Sequence, residues 1–191
     1  MIKSLFIITL VSELLLGGSL VLTLLIPKFR AWPPPGRGSW QYLWTWGLTT
    51  ISFFGVLVLG FLDWNTFVLH HWMRIPLGCL LMFSGLGLIF WGVKTLGVHE
   101  TQGLVGELAT DGPYRFTRNP QYLGDILLIA GYAVLCNSLL VYITGVMGIL
   151  WFILAPFTEE PWLRRKYGQA YEIYASRVPR FLTFRRAKDT E

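Results

Sequence analysis

"WQYLWTWGLTTISFFGVLVLGFL", residues 40–62, runs through 23 positions without a charged side chain. As a helix rising ~1.5 Å per residue it is roughly 34 Å long, enough to cross the ~30 Å hydrocarbon core of a bilayer with some tilt. Outward from it lie four more apolar runs. Ser4–Ile26 carries only Glu13, Ile75–Leu96 has Lys94 at its end, and Tyr122–Cys136 and Ser138–Phe157 are parted by Asn137 alone. Charged residues make up 14% of the chain, against about 25% in ordinary soluble domains. The expected fold is therefore all-α: a polytopic integral membrane protein of about five transmembrane helices plus a C-terminal interfacial amphipathic helix. Lys3 precedes the first run, but that run is too long for a signal h-region and no small-x-small cleavage site follows it. No repeat or soluble segment interrupts the pattern. A single membrane domain over 1–191 is expected, with two N-terminal spans in 1–72 and a three-span core plus C-terminal helix and tail in 73–191.

The basic residues orient these spans. Lys28, Arg30 and Arg37 share the first loop; Lys94, Arg115 and Arg118 flank the third. Arg164, Arg165, Lys166, Arg177, Arg180, Arg185, Arg186 and Lys188 follow the last span. With five spans, only Lys3 and Arg74 fall on the opposite side. The positive-inside rule then places the N-terminus outside and the tail in the cytoplasm. The net charge of +5 reads as topology and attraction to anionic lipid, with no nucleic-acid partner.

Trp32, Trp40, Trp44 and Trp46 flank "PPPGRG" and read as an interfacial belt around a rigid connector. His70 and His71 read as interfacial residues, since no Cys or carboxylate is spaced to complete a metal site with them. Cys79 and Cys136 read as small apolar fillers.

Polar residues beside or within apolar runs are costly and mark candidate sites. Three groups stand out, all on the expected cytoplasmic side. In "TDGPYRFTRNPQYLGD", residues 110–125, turn residues open the stretch and Asn-Pro closes it. Asn119 is expected to cap the next helix and Pro120 to occupy its first turn. Arg115 suits a lipid phosphate, and Arg118 a carboxylate or phosphate ligand. Asp125 suits either the helix dipole or a chemical role. Glu159 and Glu160 follow the last span; so close a pair needs a cationic partner, supplied by Arg118 or by a ligand ammonium or sulfonium. They would open an interfacial helix, "EEPWLRRKYGQAYEIYASRV". In the third span, Gly85 and Gly87 admit either another helix or a flat ligand.

These motifs carry a resemblance. "GPYRFTRNPQYLGD", followed one helical hairpin later by "EEPWLRRKYGQAYEIYASRVPRF", resembles the membrane methyltransferase superfamily of isoprenylcysteine carboxyl methyltransferases and phospholipid N-methyltransferases. The similarity runs from Gly85 to Phe181. It implies S-adenosyl-L-methionine as cofactor and a lipophilic acceptor drawn from the bilayer. By position it implies cofactor contacts from Gly85, Gly87, His99, Gly106, Glu107, Leu108, Ala109, Tyr114, Asn119, Pro120, Gln121 and Tyr122. Arg118, Glu159 and Glu160 become the catalytic candidates; no metal is implied. The family's His stands as Asn119 here, which cannot titrate near neutral pH. The carboxyl methyltransferases' substrate-facing Arg stands as Ala155, which argues against a prenylcysteine carboxylate acceptor. Membrane sterol reductases, which use NADPH, share a similar block and an aspartate at Asp125. A non-enzymatic protein on the same fold is the third reading.

Overall fold

The computed structural model describes residues 1–26 and 28–182; Arg185, Arg186 and Lys188 of the expected basic tail lie outside the described residues. All regular structure among them is helical: α1 (Ile2–Leu25), α2 (Trp40–Leu62), α3 (Arg74–Leu96), the short α4 (Val98–Thr101), a 3-10 turn (Gly112–Arg115), α5 (Pro120–Cys136), α6 (Leu139–Tyr167) and α7 (Gln169–Arg177). Four helices, α1, α2, α3 and α6, are long and apolar enough to cross a membrane, and α5 is a shorter apolar helix of 17 residues. The chain is a multi-pass membrane protein.

α3 and α5 form the closest pair, because glycines recur along their contact. A side chain at Gly78 would meet the Gly131 carbonyl at 2.9 Å, and one at Gly85 the Gly124 carbonyl at 2.5 Å. Without side chains there, the two backbones touch, which is how helices pack where lipid gives no hydrophobic drive to associate. Gly85 is thus occupied with α5. Gly87 faces away, with nothing within 4 Å of the position a Cβ would take.

The α5–α6 hairpin turns on Asn137, which adopts the left-handed conformation (φ 49°, ψ 50°). Its buried side-chain amide donates to Asn65 Oδ1 at 2.9 Å and to the Phe67 carbonyl at 3.1 Å, and its Oδ1 accepts from Leu69 N at 2.9 Å. Ser138 caps α6 through Val141 N and donates to Asp63. Cys79 and Cys136 are both free thiols.

Two boundaries differ from expectation. α6 runs 29 residues, straight through Glu159, Glu160 and two internal prolines, and stops only at Gly168 (φ 54°). Flanking packing holds one axis where Pro161 by itself reads as a new helix start. The remaining α7 has nine residues, and its Tyr171 and Tyr174 are buried against Tyr114 rather than laid on a surface. Trp32 likewise leaves the expected interfacial belt: it is 4% exposed, clustered with Leu20 and Ala155, while Trp40 remains exposed.

Candidate functional site

Consecutive residues on a helix point roughly 100° apart, and this separates the two glutamates of α6. Glu160 turns toward the C-terminal segment. Arg180 Nε donates to its Oε1 at 2.6 Å and Nη2 to its Oε2 at 2.8 Å, a bidentate pairing, while Arg118 Nη1 lies 3.2 Å from Oε1. The hydrogen bond to Glu160 holds the Arg180 guanidinium above its ordinary range. Arg118 Nη1 also donates to the Tyr171 hydroxyl at 3.2 Å. Its Nε is buried and has no partner among the described residues.

Glu159 turns the other way, into the bundle. Its carboxylate accepts from the Tyr122 hydroxyl and from the Trp32 indole, and the indole also donates to the Tyr122 hydroxyl at 3.0 Å. Both donors are neutral, so this carboxylate sits among dipoles where Glu160 sits among charges.

Asn119 stands at the N-cap position of α5, but its side chain makes no cap; Nδ2 donates instead to the Arg180 carbonyl at 2.8 Å. Thr117 Oγ1 donates to the same carbonyl at 3.0 Å, and Arg118 N to the Pro179 carbonyl at 2.9 Å. The loop before α5 therefore clamps the segment after α7, and so delivers Arg180 to Glu160. Pro120 takes the first turn of α5, as expected, and is buried beneath this clamp.

On the opposite wall, Gln121 Nε2 donates to Thr101 Oγ1 and to the Tyr114 hydroxyl, both at 3.0 Å. Tyr174 donates to the Tyr114 carbonyl at 2.8 Å, and the Gly106 carbonyl accepts from Tyr167 and Lys166. Burial pushes the phenols of Tyr114, Tyr171 and Tyr174 up, so all three stay protonated at neutral pH.

These walls enclose a cavity of ≈ 120 Å³ that includes Glu107, Leu108, Ala109, Tyr114, Arg118, Asn119, Gln121, Tyr122, Glu159 and Glu160. Glu100 lines it too, so four carboxylates face one arginine there, a balance that suits a cationic ligand bearing a carboxylate of its own. Gly85, Gly87, His99, Gly106 and Pro120 are not on its wall. His99 is exposed on α4, Gly106 contributes its carbonyl behind the wall, and Arg115 is exposed. The residues missed from sequence are Trp32, Glu100, Thr101 and Arg180. The tryptophan arrives from a loop far away in sequence. Arg180 had a local signal, since "VPR" directly follows the tyrosine-rich helix.

A second, larger cavity of ≈ 510 Å³ opens among α1, α2, α3, α5 and α6 and is lined mostly by apolar side chains. Trp32, Thr101, Gln121 and Tyr122 line both cavities and form the partition between them. Asp125, one turn below Tyr122, faces the larger one.

The family model for phospholipid methyltransferase matches residues 73–170, just over half of the chain. Phosphatidylethanolamine N-methyltransferase B of Dictyostelium discoideum is 30% identical over 91 residues, covering 44% of this chain and 46% of that protein. The Delta(14)-sterol reductase LBR of Gallus gallus is 34% identical over 74 residues, covering 38% of this chain and 12% of that one. The chain thus spans less than half the length of either relative. No solved structure matches it significantly.

Proposed function

The chain belongs to the phospholipid methyltransferase family, and we propose that it is an S-adenosylmethionine-dependent methyltransferase acting on a lipophilic acceptor from the bilayer. One observation carries the reading: a small cavity faced by four carboxylates and a large apolar one share a wall at Tyr122 and Trp32. S-adenosylmethionine, when bound, supplies a methyl group on a sulfonium. The donor set fits that molecule. Arg118 on the cavity wall offers its guanidinium charge to a carboxylate, Glu100, Glu107 and Glu159 offer theirs to positive charge, and the Tyr114 and Tyr122 rings suit a flat base or a sulfonium.

In this reading Glu160 is a positioning residue. Its carboxylate is spent on Arg180 and Arg118, and it fixes the guanidinium that orients the cofactor. Glu159 is the group at the partition. Hydrogen-bonded to Tyr122, it accepts the proton that an acceptor nucleophile sheds as it is methylated. Trp32 and Tyr122 exclude water, and most of the protein's contribution is alignment and desolvation. Asn119, in place of the family's His, holds the clamp rather than exchanging protons.

The reading also takes residues 1–191 as one membrane unit with the N-terminus outside and the tail cytoplasmic. Arg30, Arg118, Arg164, Arg165, Lys166 and Arg180 all sit at the end of the bundle that holds the carboxylate-lined cavity, which supports that orientation. Calorimetric titration of detergent-purified protein with S-adenosylhomocysteine and, separately, NADPH tests it. Micromolar binding of the homocysteine compound is expected. Binding of NADPH alone would transfer the site to the second reading, a reductase, which the similarity to the Gallus gallus protein and the position of Asp125 favour. Binding of neither would leave the non-enzymatic reading.

A further inference from the structure

The apolar cavity reaches a carboxyl group that the proposed chemistry does not use. Glu13 lies midway along α1, outside the residues that match the family model, and lines that cavity. It is 7% exposed. Its Oε2 is fully buried without a partner among the described residues. The hydroxyls of Ser12, Ser52 and Thr144 are engaged elsewhere. Ser12 donates to the Thr9 carbonyl and pairs with Ser52 at 2.7 Å, and Thr144 donates to the Leu140 carbonyl at 3.0 Å. A carboxyl left unpaired in a bilayer interior is costly and marks a function.

Its depth is set by α1. Leu20 packs with Trp32 and, through that cluster, level with Tyr122 at the partition. Glu13 is two helical turns earlier, roughly 10 Å further from the partition. A molecule with its reacting end at Tyr122 therefore presents Glu13 with whatever group it carries about 10 Å along. A diacyl phospholipid methylated on its head-group nitrogen would place its glycerol esters near that depth, and esters offer a carboxylate no hydrogen-bond donor.

Resting on the reading of this cavity as the acceptor site, we infer that the acceptor is a lipophile with a second polar group. That group is a hydrogen-bond donor such as a hydroxyl, about 10 Å from the methylated atom, and Glu13 is the residue that selects it.

The test titrates the detergent-purified full chain with two probes of equal length, the eight-carbon α,ω-diol and octanol. Glu13→Leu is expected to weaken the diol roughly tenfold, the scale of one hydrogen bond to a carboxyl, while octanol binds as well as before or better. Glu13→Gln keeps the shape and one acceptor oxygen, so a smaller loss of diol affinity is expected. If Glu13→Leu does not fold, the Gln variant decides the matter by the same comparison. Undetectable diol binding in the unaltered protein, equal diol affinity in the unaltered protein and the variants, or parallel losses of diol and octanol would overturn the inference. S-adenosylhomocysteine binding in the same preparations separates the two claims. Its absence from the unaltered protein removes the methyltransferase reading, whereas its presence beside an unchanged diol affinity removes only the role of Glu13.

Discussion

Both ends of the α5–α6 hairpin bury polar side chains, and they do so differently. At the Asn137 end every side-chain polar atom of the asparagine is used, by Asn65, Phe67 and Leu69, and the asparagine lines neither of the two cavities. At the Arg118–Glu159 end the groups are pairwise satisfied but not exhausted. Arg118 Nε is free among the described residues, carboxylates outnumber cations on the wall, and two cavities meet there. A buried polar group beside a membrane thus signals structure when its partners are all internal. It signals a site when capacity is left over beside open volume.

The sharpest way to break that contrast is Glu159→Ala. Trp32 and Tyr122 still bond each other at 3.0 Å, so the fold should stand. Methyl transfer, followed by incorporation of labelled methyl into extracted lipid, should fall roughly 100- to 10,000-fold, the range for losing a group that moves a proton. Activity within a factor of two would remove Glu159 from the chemistry.

Asn137→Ala probes the other end. It deletes three side-chain hydrogen bonds and puts alanine at a left-handed position. A loss of about 3 kcal/mol is expected in denaturant melts in detergent, with activity per folded molecule unchanged. Lost activity without lost stability would erase the distinction between the two ends.

The smallest effect separates two glycines that look equivalent in sequence. Gly85→Ala drives a methyl group against the α5 backbone and should cost about 1–3 kcal/mol. Gly87→Ala should change stability by less than about 0.5 kcal/mol and leave S-adenosylhomocysteine affinity intact. Weaker affinity in the Gly87 variant would restore it to the cofactor site.

Much of the architecture was legible because it depends on local quantities. Run length and charge absence define α1, α2 and α3 within a few residues, and Asn137 between two apolar runs gives the hairpin. Pro120 opening α5 follows from its fixed φ and missing N–H. The end of α6 was not legible, because Pro161 carries the same local signal whether a helix starts there or continues through it; neighbouring helices decide. Asn119 shows the same limit. Its residue type predicts a cap, but the segment after α7 offers a carbonyl at 2.8 Å and takes the amide instead.

The sequence by itself determined the membrane class, the helical fold and the family-like motifs, since each rests on composition, order or short spacing. It left the cationic partner of the glutamates open between Arg118 and a ligand. Tertiary structure alone decided that Glu159 and Glu160 face different partners, that Trp32 closes the wall between the cavities, that Arg180 joins the ion pair, and that Glu13 faces the apolar cavity. Those facts join residues up to 127 positions apart. Helix rotation and packing bring such residues together, and neither leaves a mark within any local stretch of chain.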